Sequence, residues 1–119
     1  MSDVYVRFRV GSNGYALPVG HVREVAEPGP LSPVPGAPRP VLGVRNLHGQ
    51  VLPVVDLAVV LGVERERAAA RLLVAETGDH RAGLAVDEVV DVGELPDAGP
   101  GEILDLEAVF AAVEAGATA

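Results

Sequence analysis

The chain has no cysteine, no tryptophan and no lysine, and only four aromatic rings, Tyr5, Phe8, Tyr15 and Phe110, in 119 residues. Without cysteine there is no disulfide, no thiolate nucleophile and no thiolate-bound metal. With so few rings, a core has to be built from aliphatic side chains, and the 49% hydrophobic content supplies them. No apolar run approaches the ~20 residues that cross a bilayer as a helix. The first ten residues, MSDVYVRFRV, lack the charged n-region and apolar stretch of a signal peptide. These absences lead to the expectation of a soluble, cytoplasmic protein.

Every one of the nine basic residues is arginine, and the formal charge of −8 is unevenly divided. Residues 1–71 hold eight Arg against six acids, a balance of +2, while residues 72–119 hold one Arg against eleven acids, a balance of −10. A phosphate backbone repels such a surface, so no nucleic-acid partner is expected. The length suits a single domain, residues 1–119, that buries roughly two thirds of its unfolded surface.

Valine in alternating patterns favours strands. Val4, Val6, Phe8 and Val10 fall on one face and Tyr5, Arg7 and Arg9 on the other, which reads as a half-buried strand. Gly11 to Gly14 form a turn with an Asn-Gly hairpin signal, and the strand from Tyr15 ends near Pro18. The spacing of Val19, Val22 and Val25 then changes to three, so a helical turn or irregular edge segment would bury all three. Six of the ten prolines lie in residues 28–40, and they read as a loop pinned across a barrel. Residues 41–62 predict strand, turn at His48-Gly49, strand, and a helical turn capped by Asp56 and closed by Gly62. The charged stretch 64–71 leads into a hairpin of runs 72–76 and 82–92. A loop containing Pro96, Asp97 and Pro100 precedes a brief strand at Ile103–Leu104. Leu106, Val109, Phe110 and Val113 mark an amphipathic helix capped by Asp105. Several short strands and one real helix point to an all-β barrel or sandwich.

A faint duplication runs through the chain. LPVGHVREVAE (17–27) matches LAVDEVVDVGE (84–94) at five positions, and VVDLAVVL (54–61) echoes ILDLEAVF (103–110). Val25 to Asp56 spans 31 positions but Val92 to Asp105 only 13, so the second copy is 18 residues shorter and has no counterpart of the strand at 41–47.

Residues fit for chemistry are few. His21, His48 and His80 lie far apart, with no HxH or HExxH spacing, and no metal is expected. No GxSxG, P-loop or GxGxxG occurs, so neither catalysis nor a nucleotide or other cofactor is expected. Asp87, Glu88 and Asp91 read as a solvated acidic face. What remains is surface: Val22 and Val25 beside the proline loop offer an apolar groove of the kind that binds peptides or helices. Core packing is the plainer reading of the same two valines.

YALPVGHVREV (15–25), VPGAPRPVLGVRNLHGQVLPVVDL (34–57) and GLAVDEVVDV (83–92) resemble, in order and spacing, the signature of the CheW coupling proteins of bacterial chemotaxis. The resemblance covers about residues 4–94. It implies an all-β fold, a pair of small SH3-like β-barrel halves with the second half truncated, followed by the short C-terminal helix. It also implies a non-enzymatic adaptor linking the cytoplasmic tip of a chemoreceptor to the regulatory domain of the histidine kinase CheA, recruited to receptor arrays without inserting in the membrane. Partner contacts are implied at Val22, Glu24 and Val25, around Gly43, Asn46, His48 and Gly49, and at Leu72 and Leu73. Two departures stand out: His48 occupies the position of a family arginine, and the strand before the closing ILDL is missing. They keep open an alternative, a divergent barrel that self-associates or regulates outside chemotaxis.

Overall fold

In strand β1 (Tyr5–Val10) alternation decides the faces: Val6, Phe8 and Val10 are buried. The computed structural model describes residues 4–65, 67–94 and 102–115. β1 turns back through Gly11 and Ser12 into β2 (Asn13–Pro18), with Val10 opposite Asn13 and Arg9 opposite Gly14. Asn13 and Gly14, predicted in the turn, therefore open the second strand. Gly11 carries the left-handed φ of +61°, and a Cβ there would sit 2.5 Å from the Glu64 carbonyl oxygen.

A 3-10 turn at Val19–His21 leads into β3 (Val22–Ala26). Of the three valines predicted to be buried together, only Val22 packs against the core, while Val19 and Val25 are 42% and 45% exposed. Residues 28–40 are pinned: Ser32 exchanges 2.9 Å backbone bonds with Val44, and the carbonyl of buried Pro40 accepts from Asp56 N at 2.8 Å. Strands β4 (Val41–Leu47) and β5 (Gln50–Asp56) turn at His48-Gly49, whose φ angles of 53° and 80° fit a type I′ turn. Asp56 accepts from Ala58 N at 3.1 Å and so caps α1 (Leu57–Leu61).

The hairpin β6 (Arg71–Thr77) and β7 (His80–Val86) follows. The run 82–92, read above as one strand, divides at Asp87: β7 stays in one sheet and β8 (Glu88–Gly93) joins the other. Pro96, Asp97 and Pro100 lie outside the described residues. The brief strand predicted at 103–104 is β9 (Glu102–Ile103), and α2 (Leu106–Glu114) follows, with Asp105 accepting from Glu107 N at 3.1 Å.

The strands form two sheets, a four-stranded one in the order β8-β1-β2-β9 and a five-stranded one in the order β3-β6-β7-β5-β4. One aliphatic core lies between them, drawing Val6, Phe8 and Leu17 from the first sheet, Val55, Leu73 and Leu84 from the second, and Leu57, Leu106 and Phe110 from the helices. The five-stranded sheet also has an inner face of its own. Ala26 of edge strand β3 packs with Leu47 and Leu52 of the β4–β5 hairpin and with Val74, so the sheet curls until its two edges meet.

The two sheets repeat each other residue for residue. Val6 pairs with Leu17 as Leu73 pairs with Leu84, each 67 positions on. Val92–Val6 and Val89–Phe8 correspond to Val25–Leu73 and Val22–Ala75, and the pairing skips Val90 in one sheet and Arg23 in the other. Ile103 runs parallel beside Ala16 as Val54 does beside Gly83. Each parallel strand is followed by an Asp-capped helix. Five matched side chains in the sequence are therefore the trace of a structural duplication. Among the described residues, β4 alone has no twin.

Candidate docking surface

The residues singled out above separate into a surface group and a buried group. Glu24 and Val25 lie on β3, Asn46 near the end of β4, and His48 and Gly49 on the β4–β5 turn. β3 and β4 are opposite edges of the sheet, yet the curl brings His48 Nε2 to 3.1 Å from Glu24 Oε2. The side chain of His48 is 72% exposed, so this bond is solvent-facing and gives way easily to a partner's group. Asn46 Oδ1 accepts from Gly49 N at 3.1 Å, fixing the tip of the hairpin. Val25 on β3 and Val51, opposite Asn46 on β5, are exposed apolar side chains.

The buried group cannot touch a partner. Leu72 and Leu73 have no exposed surface: Leu72 faces the curl of the five-stranded sheet and Leu73 the shared core. A central strand buried on both faces reads as a continuous apolar run, and nothing in LLV distinguishes such a strand from an exposed one. Gly43 is also buried. A Cβ there would lie 2.6 Å from the Ser32 carbonyl oxygen, so this glycine admits the proline loop instead of a ligand. Val22 is half-buried against the shared core, in line with the packing reading.

Asp87 and Asp91, read as one solvated face, do different things. Arg7 Nε donates to Asp91 Oδ1 at 2.5 Å, with a second guanidinium bond to the other oxygen, and Arg9 pairs with Glu88. The bonds from Arg7 hold the Asp91 carboxyl below its ordinary pKa, and the same bonds raise the pKa of Arg7. Asp87 instead sits where the chain changes sheets. It accepts from Gly11 N at 3.2 Å and from Arg65 at 3.3 Å, and Arg65 also donates to Asp56 at 2.5 Å. Arg65 is only 10% exposed. Its place in ERERAAAR, among other charged residues, gave no hint of this burial.

These charges line an open cleft of about 350 Å³ formed by Gly11, Ser12, Glu64, Arg65, Arg67 and Asp87. Arg65 there is held by Asp56 and Asp87, and Asp87 by Arg65 and the Gly11 N–H. Among the described residues no three His, Cys, Asp or Glu side chains converge as metal ligands. The histidines are dispersed, His21 on the Glu76 carbonyl, His48 on Glu24 and His80 on Glu114. No helix of the described residues is long and apolar enough to cross a membrane.

Two register-matched β halves around one core, a curled one of five strands and one with four strands among the described residues, define a doubled small β module. Residues 4–118 match the CheW-like domain, and the chain belongs to that family. It is similar to the chemotaxis protein CheW of Rhizobium meliloti (strain 1021), 38% identical over 94 residues, which cover 77% of this chain and 61% of that protein. It is also similar to the probable chemotaxis protein CheW of Rhizobium etli, 36% identical over 112 residues, covering 89% and 72%. The fold matches the crystal structure of the scaffolding protein TtCheW from Thermoanaerobacter tengcongensis with a TM-score of 0.73 at 28% identity, covering 82% of this chain and 64% of that one. The chain thus spans less than two thirds of the length of the first relative and of the solved structure.

Proposed function

We propose that this chain is a non-enzymatic, cytoplasmic adaptor of chemotaxis-type signalling that joins the cytoplasmic tip of a chemoreceptor to the regulatory domain of the kinase CheA. The observation that carries the reading is the meeting of β3 and the β4–β5 turn. Glu24, Val25, Asn46 and His48 come from separate segments, and the curl of the sheet draws Glu24 and His48 together through a bond that a partner can replace. An adaptor needs such a surface on a rigid scaffold more than it needs a cleft. Leu72 and Leu73, buried on β6 paired beside β3, hold that strand in place without reaching the surface.

The test is a binding assay with a purified receptor-tip fragment and the kinase regulatory domain. Val25→Asp and His48→Asp are each expected to weaken one of the two interactions about tenfold, ~1.4 kcal/mol, with thermal stability unchanged. Val34→Asp, on the exposed proline loop, serves as the control. Wild-type affinity for both partners in both variants would remove the surface from consideration. That β4 has no twin among the described residues favours a second reading, a self-associating or regulatory module outside chemotaxis. Failure of the wild-type chain to bind either fragment, together with concentration-dependent sedimentation, would favour it.

A further inference from the structure

We infer that the outer edge of β9 is a strand-docking site that takes an extended, basic segment of another protein, in the place that β4 fills in the other half. This rests on reading the chain as a partner-binding module and adds the chemistry of one partner segment. Val54 and Ile103 are register twins, each running parallel beside the matched residue of β7 or β2. Val54 is 1% exposed because β4 lies beyond β5 and the curl closes over it. Ile103 is 49% exposed, and among the described residues β9 pairs with β2 alone. Leu104 N donates to Ala16 O at 2.9 Å, so strand alternation turns the N–H and C=O of Ile103 away from β2, toward the open edge. Among the described residues nothing pairs with this donor and acceptor, and beside an exposed isoleucine they form a template for one more strand. By analogy with β4 on β5, that strand runs antiparallel to β9.

Charge selects the occupant. Glu102, Asp105 and Glu107 are exposed around this edge and hold no ion pair among the described residues, and the sequence has no basic residue after Arg81. A second copy docking through its own β9 would bring these acids face to face. A segment that alternates apolar residues, to cover Ile103, with arginine or lysine fits both the edge and its charge.

The experiment titrates the full ¹⁵N-labelled chain with three synthetic nine-residue peptides: alternating Arg-Val, alternating Glu-Val, and the Arg-Val peptide with two valines replaced by proline. The Arg-Val peptide is expected to shift the amide signals of Glu102, Ile103 and Leu104 and to slow hydrogen exchange at Ile103. Its affinity should fall at least fivefold with Ile103→Pro, which removes the outward N–H, and with Glu102→Arg, which keeps the backbone and reverses the charge. The other two peptides should leave these signals in place. Unmoved signals with Arg-Val, equal binding of Glu-Val, or unaltered affinity in Glu102→Arg would each overturn the inference. So would concentration-dependent dimers abolished by Ile103→Pro, since they would make a second copy the occupant. No receptor or kinase enters the titration, so its failure is separable from failure of the adaptor reading.

Discussion

Replacing Arg65 by Met should cost more stability than any exposed ion pair in the molecule. The Met side chain keeps much of the packing volume and removes the charge. Two carboxylates are then left facing the vacated guanidinium position, Asp56 at 15% and Asp87 at 27% exposure. Losing one partner of a buried pair costs about 3–5 kcal/mol. Here each acid keeps one backbone donor, Ala58 N to Asp56 at 3.1 Å and Gly11 N to Asp87 at 3.2 Å, and water reaches both in part. The expected loss is therefore about 2–3 kcal/mol. At roughly 4 °C per kcal/mol for a chain of this size, the melting temperature falls by about 8–12 °C. Urea unfolding followed by far-ultraviolet circular dichroism reads this directly, and the absence of tryptophan makes dichroism the practical probe. Arg65→Lys should fall between wild type and Met, since it keeps the charge but not the two-pronged geometry. A loss below ~0.5 kcal/mol for Arg65→Met, the size of an ordinary surface pair, would show that the three side chains do not tie the sheet crossing to the helix cap and the first turn.

Gly43→Ala should detach the proline loop, because its Cβ would sit 2.6 Å from the Ser32 carbonyl oxygen; the check is faster proteolysis within 28–40 and a stability loss of about 1–3 kcal/mol. Asp105→Ala removes the cap bonds to Glu107 N and Ala108 N and should cost about 0.5–2 kcal/mol, read by urea unfolding. Arg7→Gln should return the lowered Asp91 pKa to the ordinary carboxylate value in a side-chain NMR titration. A depressed carboxyl stabilises the fold above its unfolded pKa of about 3.9 and loses that contribution as pH falls through the folded value. The stability gap between wild type and Arg7→Gln should accordingly be flat above about pH 5 and close in stronger acid. A gap that persists below pH 2 would mean that the variant acts through packing.

Local signals carried much of the fold. Asp56 and Asp105 were legible as caps because an acceptor before an apolar run has one common use, and His48-Gly49 was legible because a type I′ turn restricts its residues. The errors arose where a tertiary neighbour decided the outcome. Asn13-Gly14 lost the turn to Gly11 because the chain at Glu64 leaves no room for a side chain at position 11. The run 82–92 broke at Asp87 because Arg65 and Gly11 hold that carboxylate where the chain changes sheets, contacts reaching back 22 and 76 residues along the chain. For the docking surface, the family likeness supplied the positions, and periodicity could not separate exposed Val25 from buried Leu72. Only the curl of the sheet brings Glu24 to His48.

The twin registers also show how the half that has no twin of β4 among the described residues is built. The face that lies inside the closed half carries Leu72 and Val74 on β6, and these correspond to Tyr5 and Arg7 on β1. Val74 is fully buried and needs no partner, whereas Arg7 is bonded to Asp91, the twin of Glu24. Arg9 and Glu88 extend the same ion-paired stripe. An apolar residue at position 7 would present exposed hydrophobic surface, because no fifth strand among the described residues curls over it; an arginine at position 74 would be a buried charge with no water to solvate it. Equal registers with opposite polarity mean that the backbone plan has been kept in both halves while each inner face has been matched to its own degree of closure. The polar stripe stops at β1 and β8. On β9 the twin of buried Val54 is still an isoleucine, and it is half exposed. That retained side chain is what separates a healed edge from one kept for a partner.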